Sequence, residues 1–130
     1  MHKKITIYFL SLFTLCFYSA KSNAEPIEAN IIDLIVSPSI FENKEIEVRC
    51  NVSIDPVSGF DKSYCLDNSH TTIYVWIDNR KIKDKNEFRW LLKNCARGML
   101  GGDNPRCKYL IINGIYRDGK IEDAELIGAK

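Results

Sequence analysis

The chain has 130 residues, and its 18 basic and 17 acidic residues give a formal net charge of +1 with histidine neutral. This balance excludes a strong overall attraction to nucleic acid or to an anionic membrane surface, and we expect no nucleic-acid partner. The length fits one small domain, whose core buries only about two-thirds of the unfolded surface.

The N-terminal 24 residues have the layout of a secretory signal peptide. Lys3 and Lys4 precede an apolar run from Ile5 to Tyr18, and the small-residue end Ser22-Asn23-Ala24 is suited to cleavage. A retained anchor is the alternative, but the run is shorter than the ~20 residues of a membrane span. Cleavage removes three lysines and leaves 15 basic and 17 acidic residues. We expect a periplasmic or secreted single domain at 25–130, with no membrane span after cleavage.

Four cysteines follow this leader: Cys50, Cys65, Cys95 and Cys107. In a small exported domain they predict two disulfides. A zinc site is disfavoured because no Cys-x-x-Cys pair occurs, and we expect no metal. Three connectivities are open. We favour Cys95 with Cys107, which would tie the end of a helix to the start of a strand, and Cys50 with Cys65 follows by elimination.

The first half of the domain predicts one short helix and three strands. Apolar spacing over 31–35 suits a helix that Pro38 ends. Strict alternation over 45–54 predicts a half-buried strand. A second, weaker strand follows at 60–67, and a third strand at 71–78. The inward residues of the first strand are Ile46, Val48, Cys50, Val52 and Ile54.

The second and third strands differ in how clearly they assign their faces. The third places Ile73, Val75 and Ile77 on one face and Tyr74 and Trp76 on the other. In the second, alternation groups Tyr64 with Phe60 and Leu66, which turns Tyr64 inward and sets Cys65 on the opposite face.

The second half predicts a helix followed by a hairpin. Asp84 is suited to cap the helix, Glu87 completes an approximate capping box, and Gly98 ends it. Strands at 107–116 and 121–127 flank the tight-turn signal Asp118-Gly119. The helix carries one apolar stripe, formed by Phe88, Leu91, Leu92 and Cys95.

This order predicts an all-β fold with one or two helices. Three strands, a helix and a two-stranded hairpin form the layout of a five-stranded OB-like barrel, with the helix between strands three and four. Closure of the sheet would also remove exposed strand edges, which a small exported domain has little means to protect.

A resemblance supports the same fold. An apolar segment from Ile32 is followed by Pro38, an aromatic residue, a turn that ends in Lys44, and a strand that reaches Val48. This pattern resembles the opening of a group of small exported bacterial OB-fold-like proteins. The resemblance implies the fold and no activity, since the group has no assigned function. The cysteines and the basic segment 80–107 depart from it.

Catalytic motifs are missing from the sequence. We find no nucleophile elbow, zinc-protease motif or phosphate-binding glycine loop. His70 lies in a polar loop and is expected to be solvated. The carboxylates near the last hairpin are assigned to its turn and its wet face. We therefore expect no enzyme, no catalytic residue and no cofactor.

Aromatic residues form the first candidate binding surface. Tyr74 and Trp76 lie opposite the apolar face of strand three, with Tyr64 on the neighbouring strand. OB-folds bind ligands over strands two and three, where such rings stack on sugars or bases. The alternative is that the rings only cover the barrel.

Basic residues form the second candidate surface. Residues 80–108 hold nine basic and three acidic residues. Lys85, Arg89, Lys93 and Arg97 recur every four residues, a spacing at which like charges destabilise a helix by about 0.2–0.5 kcal/mol per pair. Such a ridge fits an acidic protein or an envelope polyanion. The alternative is an ordinary solvated face.

These features favour a non-enzymatic periplasmic or secreted interaction module that engages an acidic partner, with an inhibitor-type protein among the options. A glycan-binding secreted OB-fold subunit is the alternative. A small hydrolase is a third option, for which we find no catalytic constellation. The sequence leaves the ligand and the oligomeric state open.

Overall fold

The computed structural model describes residues 25–54, 56–70, 72–96 and 104–128. The predicted signal peptide lies outside these residues, as do Arg97 and Gly98. Within them, no helix has both the length and the apolar character needed to cross a bilayer.

One sheet dominates the structure, accompanied by three short helices. The strands are β1 (Ile27–Ala29), β2 (Glu45–Ile54), β3 (Lys62–Leu66), β4 (Tyr74–Asp78), β5 (Leu110–Arg117) and β6 (Lys120–Ile127). The helices are α1 (Ile31–Val36), α2 (Pro38–Phe41) and α3 (Lys85–Cys95). The predicted all-β class is confirmed at this level.

The strands pair in a ring-like order. β2 is antiparallel to β3, β3 to β4, and β5 to both β6 and β2, while β6 runs parallel to β4. The pairings therefore return to β2. We predicted five strands, and the structure adds a sixth, because β1 pairs in parallel with the first half of β2. Three residues carry too little alternation for sequence analysis to find β1.

The core forms inside this ring. β2 turns its predicted apolar face inward, and all five of its apolar residues are buried. α3 covers the ring with Leu91 and Cys95. α1 adds Ile31 and Leu34, and the Leu34 carbonyl accepts a hydrogen bond from the Tyr116 hydroxyl at 3.1 Å. The packed ring is the scaffold on which the outward side chains are placed.

The N-terminal helices begin and end through local chemistry. The Asn30 side chain accepts the Asp33 N–H at 2.7 Å and caps α1. α1 ends at Val36, before Pro38 as predicted. Pro38 also starts α2, because proline fits the first position of a helix. We did not predict this single turn.

Both favoured disulfides are present. Cys95 bonds to Cys107, with 5.7 Å between their Cα atoms, and Cys50 bonds to Cys65 at 5.2 Å. β2 and β3 pair Cys65 with Val52, so the Cys50–Cys65 bridge runs diagonally across the two strands. Both of its cysteines are fully buried.

The predicted orientation of β3 was wrong. Cys65 faces the core, and Tyr64 faces outward. The error came from counting alternation from Phe60, which has a φ of 65° and lies in the turn before β3. A residue in the left-handed region does not continue the two-residue period of a strand.

Candidate functional site

Three aromatic side chains meet on the outer face of β3 and β4. We call Tyr64, Tyr74 and Trp76 the aromatic surface. Tyr64 is the cross-strand partner of Trp76, with ring centroids 4.4 Å apart. Tyr74 meets Tyr64 at 4.8 Å and Trp76 at 5.1 Å, in both cases edge to face. The sequence placed Tyr64 near Tyr74 and Trp76 but turned it inward. Because Tyr64 faces outward, all three rings lie together on this face.

The surroundings of these rings are partly cationic and partly aliphatic. The Lys62 ammonium lies 5.3 Å from the Trp76 ring centroid, within cation–π range. Tyr74 is 38% exposed and lines an apolar cleft of about 320 Å³ together with Ile32, Ile35 and Val36 of α1. The edge-to-face contacts already stabilise the cluster as a cover of the sheet.

The cations that precede α3 are neutralised by acids of the sheet. Arg80 pairs with Asp78 at 3.4 Å. Lys81 reaches Glu122 at 3.4 Å, and Lys83 reaches Glu125 at 3.2 Å. These three cations contribute little to the basic surface that the sequence predicted over 80–108.

The titration of these groups reflects the pairing. A hydrogen bond from Arg117, with a second from Lys81, lowers the pKa of Glu122 against the smaller opposing effect of burial. A hydrogen bond to Glu125 raises the pKa of Lys83. Both shifts favour the charged forms, so the acids of β6 hold their lysine and arginine partners at neutral pH.

The cations of α3 have no such partners. Lys85, Arg89 and Lys93 are exposed, and no ion pair among the described residues includes them. The side chain of Arg89 donates to the neutral Asn86 carbonyl oxygen at 3.2 Å. The predicted ridge is therefore present over α3, while its fourth member, Arg97, lies outside the described residues.

The one acidic residue of α3 is directed away from these cations. Glu87 accepts the backbone N–H of Leu126 at 2.9 Å, which ties α3 to β6. We predicted that Glu87 would complete a capping box with Asp84. Asp84 does cap the helix, through the Asn86 N–H at 2.8 Å, but the Glu87 carboxylate is committed to β6.

Two further cations extend this surface beyond α3. Arg106 and Lys108 are exposed on and beside the 3-10 turn Pro105–Cys107. The Cys95–Cys107 disulfide fastens the turn to the end of α3, and Asn104 caps it by accepting the Arg106 N–H at 3.0 Å. We call Lys85, Arg89, Lys93, Arg106 and Lys108 the basic surface.

An open cleft of about 540 Å³ adjoins the basic surface. Its lining includes the cations Arg106 and Lys108 and the aromatic residues Trp90 and Tyr109. Sequence analysis missed both rings. The signal for Trp90 was available, since it falls outside the apolar stripe of its helix. Tyr109 gave none, because its role depends on a backbone angle.

Neither a metal site nor a catalytic group stands out among the described residues. They contain no cluster of three or more histidine, cysteine or acidic side chains suited to a metal ion. The His70 side chain is 60% exposed, and its Nδ1 lies 3.1 Å from the Asp67 carboxylate. His70 is therefore a loop residue with a local partner.

Comparison with protein-family models, curated proteins and solved structures finds no match to this chain. The aromatic surface and the basic surface are the features of the described residues that bear on its function.

Proposed function

We propose that this protein is a non-enzymatic interaction module that binds an acidic partner through its basic surface. The observation that carries the proposal is the contrast between neighbouring cations. Arg80, Lys81 and Lys83 each have an acidic partner. The five cations of the basic surface have none among the described residues.

The unpaired state costs the isolated protein some stability. Lys85, Arg89 and Lys93 repel one another at a spacing of four residues, by about 0.2–0.5 kcal/mol per pair. The helix carries one acid that would offset this, and that acid is turned to β6. An acidic partner would relieve the repulsion and gain charge-assisted hydrogen bonds.

We also infer an OB-type fold and a place outside the cytoplasm. The ring order β2-β3-β4-β6-β5 follows the strand order expected of an OB barrel, with β1 as an addition. The two disulfides favour an oxidising compartment. The resemblance of residues 32–48 to small exported bacterial proteins points the same way.

A matched pair of double variants tests the binding proposal. Lys85→Gln with Lys93→Gln removes two unpaired cations, and Lys81→Gln with Lys83→Gln removes two paired ones. Both change the net charge by the same amount. We expect the wild-type protein to bind polyglutamate or dextran sulfate, more weakly as salt rises. The first variant should lose at least about tenfold in affinity, which is 1.4 kcal/mol.

The control variant should stay within about threefold of wild type, because its cations are already neutralised by acids of the sheet. Equal losses in the two variants would mean that net charge alone governs binding, and the proposed surface would be rejected. Failure of the wild-type protein to bind either polyanion would reject the function.

The aromatic surface supports a second candidate, a glycan-binding subunit. Three rings in mutual contact beside an apolar cleft favour it. Neutral glycans would stack on the exposed ring of Tyr74 and the edge of Trp76. Screening on a neutral glycan array tests this, with Tyr74→Ala expected to abolish the signal and salt expected to have little effect.

A further inference from the structure

Tyr109 is held in a conformation that aromatic residues seldom adopt. Its φ is 57°, in the left-handed region, and its side chain is 66% exposed. Bulky residues avoid this region because Cβ approaches the backbone, which strains the chain. The strain is not repaid by burial of the ring.

A side-chain hydrogen bond fixes this conformation. The Tyr109 backbone N–H donates to the Asn51 carbonyl oxygen at 3.0 Å, from the outward face of β2. The turn that precedes Tyr109 is also anchored by the Cys95–Cys107 disulfide, and Leu110, which follows it, pairs with Cys50 of β2. The backbone on both sides of Tyr109 is therefore held in place while its ring lines the cleft.

The cleft combines two kinds of group that recognise different parts of one ligand. Arg106 and Lys108 line it with positive charge, and it is also lined by the exposed ring of Tyr109 and by Trp90, which packs partly buried against the core. Arginine binds sulfate, phosphate and carboxylate groups with paired hydrogen bonds. Amphipathic aromatic rings pack on the apolar face of a pyranose while its hydroxyls stay in water.

We infer that this cleft binds an acidic polysaccharide, with sugar rings on Trp90 and Tyr109 and the anionic substituents on Arg106 and Lys108. This inference rests on the proposed function and names its ligand class. An acidic peptide would offer carboxylates to the cations, whereas a polysaccharide also offers pyranose faces to the two rings that line the cleft. The cleft volume of about 540 Å³ lies in the range of small-ligand sites.

Two variants at one position separate ring stacking from charge. Tyr109→Asn removes the ring, and asparagine tolerates the left-handed backbone better than other non-glycine residues. Tyr109→Phe keeps the ring and is the matched control. The probes are dextran sulfate, neutral dextran and polyglutamate, titrated calorimetrically into protein purified in its oxidised form. Thermal unfolding of each variant verifies that it is folded.

We expect Tyr109→Asn to raise the Kd for dextran sulfate roughly tenfold, as loss of one stacking contact does. The Kd for polyglutamate should change by less than about twofold, and Tyr109→Phe should bind both probes as wild type does. Neutral dextran should bind at least about a hundredfold more weakly than dextran sulfate, because two charge-assisted contacts are lost.

Different failures have different meanings. Dextran sulfate binding that is unaffected by Tyr109→Asn would overturn the inference and leave the proposed function standing. Preference for polyglutamate over dextran sulfate would do the same. If neither polyanion binds, both the inference and the proposed function are overturned. Trp90→Phe keeps an aromatic ring and its affinity for dextran sulfate should fall by less than about threefold; a larger loss would contradict stacking that any aromatic ring can supply.

Discussion

The two disulfides stabilise regions that differ in what surrounds them. Cys50–Cys65 crosses two strands of the ring, and both of its side chains are fully buried. Cys95–Cys107 joins a helix to a turn, and two cations of the cleft, Arg106 and Lys108, are the sequence neighbours of Cys107. The loops that they close are similar, with separations of 15 and 12 residues.

Similar loops give similar entropic stabilisation, so the difference between the bridges lies in packing and in function. The first bridge stabilises the scaffold; Cys50 pairs with Leu110 at the edge of the cleft, but the bridge does not hold the turn that carries Arg106. The second fixes the geometry of the surface that we propose to be functional. Stability and binding should therefore respond differently when each bridge is removed.

Removal of the bridge in the ring should have the largest effect on stability. Cys50→Ala with Cys65→Ala loses about 3 kcal/mol from loop closure and also leaves space in the core. We expect the free energy of unfolding to fall by roughly 3–5 kcal/mol, measured by chemical denaturation. The protein that stays folded should bind polyanions as wild type does. Lost binding in the folded fraction would contradict the separation of the two regions.

Removal of the second bridge should cost less stability but should weaken binding. Cys95→Ala with Cys107→Ala is expected to lower the free energy of unfolding by about 2–3 kcal/mol. The affinity for dextran sulfate should fall about tenfold or more, because the turn that carries Arg106 is no longer fastened to α3. Unchanged affinity would show that the turn keeps its position without the disulfide.

Relief of backbone strain should raise stability while it removes function. Tyr109→Asn places a residue that tolerates the left-handed region at an exposed position. We expect the free energy of unfolding to rise by up to about 1 kcal/mol. The Tyr109→Phe control should keep the stability of the wild-type protein. A marked loss of stability in Tyr109→Asn would mean that the ring contributes to the fold.

Reversal of one charge in α3 should produce a smaller change in the same direction. Arg89→Glu replaces two repulsive pairs, with Lys85 and Lys93, by two attractive ones. Each pair is expected to contribute about 0.2–0.5 kcal/mol to helix stability. Thermal unfolding at low salt should show a slightly higher midpoint and reduced polyanion binding. The gain in stability should disappear at high salt, since both pairs are exposed to solvent.

Acid should weaken the sheet through Glu122, with a still smaller effect. Its pKa lies below the usual 4.5 because of Arg117 and Lys81, so the folded state holds its proton less tightly than the unfolded state. The contribution to stability is present above the unfolded pKa and is lost as the pH falls through the folded pKa. Glu122→Gln should flatten the dependence of unfolding on pH below about 4.5.

The fold could be predicted where one face of a strand is buried. β2 was predicted with its observed bounds, because five inward apolar residues alternate with five polar ones. The favoured disulfides are also present: Cys95 with Cys107 was preferred out of three open connectivities because it would tie a helix end to the following strand, and Cys50 with Cys65 followed by elimination. Both features express a local pattern with a strong physical cause.

The prediction failed where the backbone or a distant partner decides the outcome. The left-handed φ of Phe60 breaks the alternation of side chains before β3, and no pattern of residues predicts that angle. The local sequence around Glu87 fits a capping box, but the Glu87 carboxylate instead accepts the backbone N–H of Leu126 in β6. The pairing of Lys81 and Lys83 with β6 could not be foreseen either, because it requires the ring to close.

The closing contact between β2 and β5 has a consequence for synthesis. Glu45 pairs with Ile115, although most of the domain separates them along the chain. Synthesis starts at the N-terminus, so β2, β3 and β4 are made well before the β5–β6 hairpin that completes their pairing. Contacts between residues so far apart in the chain slow folding, and the edge of β2 that pairs with β5 stays unpaired until the β5–β6 hairpin is made. A chain truncated before β5 should therefore aggregate rather than fold.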